Sequence, residues 1–222
     1  TMKTIFNLFF LLFLSASALY RQCQFVFVST TGTPTAAGTQ QDPLDINTAF
    51  LTTADNGYIR LATGTYNVDN SLSLNGNNIM VEGGFIAAQA WTKTSLAGAT
   101  TIYRSALNVQ GPMIAPRLSV FEILGKNDFR LQDITIQVSN APQATLTSPY
   151  GTSVYGVYLY SCSNYKLVRC AFIIGAASNG LSGTPGLTGL AGSNGAIGSA
   201  GSCDGGTCTF SSGQAGGAGG AG

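Results

Sequence analysis

Short runs in which apolar and polar side chains alternate fill residues 57–177. YIRLATGTY (58–66), SLSL (71–74), NIMVEGGF (78–85), TTIYR (100–104), SVFEIL (119–124), FRLQDITIQV (129–138), VYGVYLY (154–160) and YKLVRCAFII (165–174) are rich in β-branched and aromatic residues and are separated by Gly, Asn and Ser. A period of two sends alternate side chains to opposite faces, so each run predicts a short strand with one buried face. One stretch departs from this pattern. In LDINTAFLTTA (44–54), Leu44, Ile46, Ala49, Phe50 and Leu51 share one face of a helix, and Asp42-Pro43 and Asp45 supply start signals. The pattern therefore predicts an all-β chain opened by one short helix that plugs the end of a sheet stack.

Two of the runs also resemble each other. A shift of 36 residues lays FEILGKNDFRLQDITI (121–136) on VYLYSCSNYKLVRCAF (157–172). Phe121 then falls on Val157, Ile123 on Leu159, Phe129 on Tyr165, Leu131 on Leu167, Ile134 on Cys170 and Ile136 on Phe172, while the turn residues Asn127 and Asp128 fall on Ser163 and Asn164. A looser copy lies upstream at a shift of 50, where Ile79, Val81, Gly84 and Ile86 match Phe129, Leu131, Ile134 and Ile136. Matching cores at unequal shifts describe coils of one solenoid that carry loops of different length, the clearest insertion being residues 140–152. Each coil has an apolar stripe that it cannot bury alone, and the next coil buries it.

Composition adds the setting. Only 9% of the 222 residues are charged and none is histidine, against about 25% charged in an ordinary globular domain. Residues 1–18 read as a cleavable export signal: Lys3 is the positive start, residues 5–14 are apolar apart from Asn7, and Ser15-Ala16-Ser17-Ala18 supplies a small-residue cleavage site. Ten such residues fall short of the roughly 20 needed to span a bilayer, so no transmembrane segment is expected. Removing them takes away Lys3 alone and leaves nine residues of each sign. A neutral chain without a basic patch is not built for nucleic acid. An exported chain permits disulfides. Of the five cysteines, Cys203 and Cys208 enclose a glycine-containing turn and form the best candidate bond. Cys162 and Cys170 form a weaker pair, because Cys170 occupies the buried slot of Ile134.

At these residues the chain resembles the right-handed parallel β-helix, or pectate-lyase-like, superfamily, and more narrowly large cell-surface proteins of the Bacteroidota type. Residues 25–50 are similar to that family's opening strand and capping helix, with Val28-Ser29 and Gly32 in a "V-S-x-x-G" strand leading through Asp42-Pro43 into the helix. GYIRLATGTYN (57–67) resembles its first full coil, and VEGGF (81–85) followed by Trp91 and TTIYR (100–104) matches its secreted members. The resemblance covers roughly residues 25–175 and implies a right-handed β-helix, a bacterial cell-surface or secreted location, and no particular activity, since the scaffold serves lyases, hydrolases, adhesins and inert stalks.

The expected organisation is thus a signal peptide (1–18), an N-terminal cap (19–56), β-helix coils (57–177) and a glycine-rich tract (178–222). In the tract a glycine recurs at every third position from Gly180 to Gly201. Strict G-x-y suits an extended three-residue-per-turn helix, yet Pro185 is the only proline in the run, too few for an isolated collagen helix. The tract is expected to be an extended excursion or linker, and the chain to be the N-terminal piece of something longer.

Little here carries catalysis. Without histidine the usual general base is gone, and the nine acids are scattered; Asp128 and Asp133, with Lys126, Arg130 and Arg169 nearby, read as turn chemistry and solvated coil edges. No catalytic residue, metal site or cofactor is expected. Alternation turns Tyr158 and Tyr160 outward on one face, where, joined by Trp91, they offer a platform for stacking sugars. The sequence therefore predicts an exported, non-catalytic adhesin or structural β-helix protein that contacts extracellular polysaccharide or another cell surface. The alternative is the N-terminal part of a β-helix polysaccharide lyase or glycoside hydrolase whose active site lies downstream.

Overall fold

A computed structural model describes residues 25–192 and, as backbone, Ser202–Asp204 and Thr207–Thr209. The expected signal segment and Cys23 lie outside the described residues. Among the described residues, twelve strands, one α-helix and a short 3-10 helix (Ala87–Gln89) lie in the first of two units. The strands and the α-helix are β1 (Phe25–Thr33), α1 (Ile46–Thr52), β2 (Tyr58–Ala62), β3 (Gly64–Val68), β4 (Met80–Ile86), β5 (Thr92–Lys93), β6 (Thr100–Arg104), β7 (Arg117–Leu124), β8 (Arg130–Gln132), β9 (Thr135–Val138), β10 (Ser153–Tyr160), β11 (Lys166–Val168) and β12 (Ala171–Ile174). The second unit contains β13 (Ser202–Asp204) and β14 (Thr207–Thr209), paired antiparallel.

The first unit is a parallel β-solenoid of about four turns. Strands β1-β2-β4-β8-β11 form one sheet, β3-β6-β9-β12 a second and β7-β10 a third, and every pairing among these is parallel. The 36-residue repeat is the vertical register of the structure: Phe121 pairs with Val157, Leu131 with Leu167 and Ile136 with Phe172. Columns of identical slots run through the core. Ile59, Val81 and Leu131 are each fully buried one above another, as are Ile102 and Ile136 beside them. Each such side chain contributes on the order of 1.5–3 kcal/mol by leaving water.

Asparagine and aspartate set one corner of every turn. Asn56, Asn78, Asp128 and Asn164 each stand two residues before β2, β4, β8 and β11, and all have φ between 49 and 64°. Short polar side chains tolerate this left-handed backbone better than bulky ones do. They also bond along the stack: the Asn78 amide donates to Asn56 Oδ1 at 2.8 Å, and the Asn164 amide donates to the Asp128 carboxylate.

The runs 58–66, 129–138 and 165–174, expected as single strands, each break into two. Asp133 (φ 55°) and Arg169 (φ 50°) turn the chain between β8 and β9 and between β11 and β12. SLSL (71–74) reduces to a single bridge, Leu72 to Phe121. The upstream copy at a shift of 50 holds through Glu82, which pairs with Gln132, and then fails: Ile136 stacks on Ile102 of β6, not on Ile86. Residues 86–99 leave the solenoid as a loop containing β5, which folds back antiparallel onto β4.

The helix forms where its caps allow. Asp45 accepts hydrogen bonds from the backbone N–H groups of Asn47 (2.9 Å) and Thr48 (3.1 Å), and Ile46, Ala49 and Phe50 enter the core, where the Phe50 ring lies 5.7 Å from that of Phe121. Leu51 faces away and is 67% exposed, because a neighbour in sequence lies about 100° round the helix. Among the described residues no helix is long and apolar enough to cross a membrane. Residues 175–192 have no regular secondary structure. A Cβ added at Gly183 or Gly186 would meet no atom within 4 Å.

Candidate functional site

The densest charge cluster sits at the corner between the first two sheets. Asp133 and Arg169 occupy equivalent corners of successive turns, and Gly83 takes the place below. A Cβ at Gly83 would stand 2.5 Å from the Asp133 carbonyl oxygen, so only glycine lets the corners stack this closely. On the adjoining strands Glu82 and Gln132 are neighbours in register. The β5 loop then returns Lys93, which pairs across β4 with Phe85.

These elements converge on one ionic network. Lys93 Nζ donates to Glu82 Oε1 (2.7 Å) and the Gly83 carbonyl (2.5 Å) and forms an ion pair with Asp133 Oδ2 at 2.7 Å. Arg169 grips Asp133 with two bonds, and Gln132 Nε2 donates to Glu82 Oε1 at 2.9 Å and to Asp133 Oδ2 at 3.1 Å. The Arg169 hydrogen bond, aided by those from Lys93 and Gln132, holds the Asp133 carboxyl well below the usual carboxylate range against the opposing effect of burial.

Beside the network lies an open cleft of about 550 Å³, lined by Lys93, Leu96, Gly98, Asp133, Thr135 and Arg169 among others. In the network the two cations, Lys93 and Arg169, balance the two anions, Glu82 and Asp133. A carboxyl that stays ionised, as Asp133 does, is no proton donor. Asp133 is therefore not the general acid that glycoside cleavage requires. The network instead ties the loop 86–99 to the solenoid and gives the cleft a fixed polar wall. Among the described residues no group of His, Cys, Asp or Glu is placed to hold a metal ion.

Asp128 and Asp133, the nearest acids in the strand zone by sequence, lie at different corners: Asp128 meets Asn164, whereas Asp133 meets Lys93 and Arg169. Lys93 and Glu82 were not legible as partners of Asp133, since the loop joining them has no periodic pattern. The opposite charges of Asp133 and Arg169 at one slot of the 36-residue alignment were the available clue.

The tyrosines lie on β10. Val157 and Leu159 pack against the core, and Tyr158 and Tyr160 face outward. Tyr160 is 65% exposed. Tyr158 is half-buried: the Arg117 guanidinium lies 4.3 Å from its ring centre, Glu122 fixes that guanidinium, and Tyr155 meets the ring edge-on at 5.6 Å. Trp91 does not join them. It is buried against Phe27 with ring centres 4.9 Å apart, its Nε1 donates to the Gln40 carbonyl, and it has no free face for a sugar.

One buried cation was not expected. Arg104 fills an inward slot of β6 and is fully buried, where its guanidinium donates to the carbonyls of Ser105 (2.7 Å) and Asn108 (2.8 Å). Burial pulls its pKa down, and Asp69 opposes this. Cys162 and Cys170 are free thiols, and burial pushes the Cys170 thiol up. The side chains of Cys203 and Cys208 lie outside the description, but their backbone positions are direct cross-strand partners in β13–β14.

No family model, curated protein or solved structure matches the chain.

Proposed function

We propose that this chain is the exported, non-catalytic β-solenoid part of a cell-surface adhesin or structural protein, one that contacts extracellular polysaccharide through β10. The observation that carries this reading is Tyr160, 65% exposed on a strand fixed from below by β7, with Tyr158 beside it. Rigid, exposed aromatic rings stack on sugar faces at little entropic cost. The neutral, charge-poor surface and the cancelled charges of the Lys93 network favour a neutral polymer over a polyanion. The solenoid is read as right-handed because parallel crossovers are right-handed in about 98% of cases. In this reading α1 is the cap of the first turn, residues 1–18 are the export signal and the glycine tract is an excursion within a longer surface protein.

Affinity electrophoresis in gels containing neutral and acidic polysaccharides tests it. Retardation by at least one neutral polymer, lost on replacing Tyr158 and Tyr160 by Ala, is the expected result. Equal mobility of wild type and double variant in every gel would end the proposal.

A further inference from the structure

The cleft beside Asp133 is built before any ligand arrives. Its loop side is pinned: Thr94 N–H donates to the Gly84 carbonyl at 2.8 Å, Leu96 N–H donates to Thr94 Oγ1 at 3.1 Å, and the Lys93 network ties the same loop to the corner of the solenoid. Its volume of about 550 Å³ lies within the roughly 300–1,000 Å³ usual for small-molecule sites. Walls that do not have to be ordered on binding leave more of the contact energy for affinity.

Two polar groups of the lining have hydrogen-bonding capacity to spare. Thr135 is only 8% exposed, yet among the described residues its hydroxyl has no hydrogen-bond partner. A Cβ added at Gly98, on the loop, would stand 3.7 Å from Thr135 Oγ1, which places the hydroxyl on the wall that faces the loop. Buried hydroxyls are normally paired, so this one awaits a partner from the cleft. Arg169 commits Nε and Nη2 to Asp133, whereas its Nη1 has no partner among the described residues and its side chain is 64% exposed.

Charge decides the class of ligand. Lys93 and Arg169 balance Glu82 and Asp133, so neither an anion nor a cation meets a net opposite charge. An anion held by Arg169 Nη1 would also face the ionised Asp133. An apolar molecule would cut the Thr135 hydroxyl and the Arg169 N–H groups off from water without replacing its hydrogen bonds. Neutral hydroxyl groups avoid all three penalties, because each donates and accepts at once. Leu96, Ala97 and Ala171 add aliphatic surface for the C–H face of a ring. We propose that the cleft between loop 94–98 and the Asp133–Arg169 corner binds a neutral saccharide, with neighbouring hydroxyls on Arg169 Nη1 and Asp133 and a further hydroxyl on Thr135 Oγ1. This site goes beyond the β10 reading and does not rest on it.

Maltotriose, cellotriose and laminaritriose, titrated separately into the full chain, test this. The titrations use the Tyr158→Ala/Tyr160→Ala background, so that β10 contributes nothing, and follow the Thr135 methyl and Arg169 Nε–Hε signals by NMR. Saturable shifts with at least one trisaccharide are expected. Thr135→Val keeps the shape and removes the hydroxyl, and Arg169→Lys keeps the charge and removes Nη1. Each is expected to weaken binding about threefold to tenfold, the effect of one hydrogen bond. Ala171→Trp should fill the cleft and abolish binding, whereas Leu51→Gln on the exposed side of α1 should not change it. Absence of saturable shifts with all three sugars overturns the proposal. So does binding that survives Ala171→Trp, or tighter binding of trigalacturonate or inorganic phosphate than of every neutral trisaccharide. With the tyrosines absent, a failure here leaves the β10 reading standing, and loss of the β10 reading leaves this one.

Discussion

Arg169 closes on Asp133 from one turn above, with Nε 2.6 Å from Oδ1 and Nη2 2.9 Å from Oδ2. Two residues 36 apart thus hold the same corner with opposite charges, and Lys93 reaches the same carboxylate from the β5 loop at 2.7 Å. The pair joins the vertical stack of the solenoid to the one loop that leaves it near this corner.

Asp133→Asn is expected to lower stability at pH 7 by about 1–2 kcal/mol, since a charge-assisted pair is replaced by neutral hydrogen bonds. Asp133 has a depressed pKa in the folded state, so its contribution is fully present above the unfolded value of about 4 and is lost as pH falls toward the folded one. Urea titrations of both proteins between pH 2.5 and 8 check this. The gap between them should be constant above about pH 5 and narrow below about pH 4; a gap that widens in acid contradicts the assignment.

Asp45→Ala removes the side chain that accepts from Asn47 and Thr48 at the start of α1. The cost expected is about 1 kcal/mol, the usual value for a lost helix cap, measured as a lower urea midpoint with an unchanged slope. Asp45→Ser should recover most of it.

Gly83→Ala forces a methyl group to 2.5 Å from the Asp133 carbonyl oxygen and 2.8 Å from Thr100 Cβ. A loss of more than about 2 kcal/mol is expected, because neither a backbone oxygen nor a packed Cβ can retreat cheaply. Gly186→Ala, where the new methyl meets nothing within 4 Å, should leave the melting temperature unchanged. A large loss at Gly186 would instead show that the tract is packed against another chain.

Under oxidising conditions Cys203 and Cys208 are expected to be joined, since their backbone positions are register partners in the antiparallel β13–β14 pair. Mapping of non-reduced peptides should find that link and should find Cys162 and Cys170 as alkylatable thiols. Cys170 should react slowly near pH 8, as burial disfavours its thiolate. A Cys162–Cys170 link would refute the pairing.

The alternation of apolar residues determined the strands, and the 36-residue shift determined which would stack, from Phe121 over Val157 to Ile136 over Phe172. Both signals are local or repeated, because every strand has the same two-residue period and every turn must fill the same slots. Asp45 at the start of α1 was equally legible, since a helix cap is decided within four residues. What only the tertiary structure decided depends on the loops between slots. Nothing periodic says that residues 86–99 leave the stack, so Ile86 looked like a core residue of the sheet, Trp91 looked free when it is buried under Phe27, and Lys93 carried no sign of Asp133. The inward Arg104 was hidden for the same reason, because its acceptors are carbonyls of an irregular loop. The exposed rim at Leu167 and Phe172 is the sharpest case. Their apolar pattern matches that of the buried turn below, and only the stack reveals that nothing among the described residues covers them.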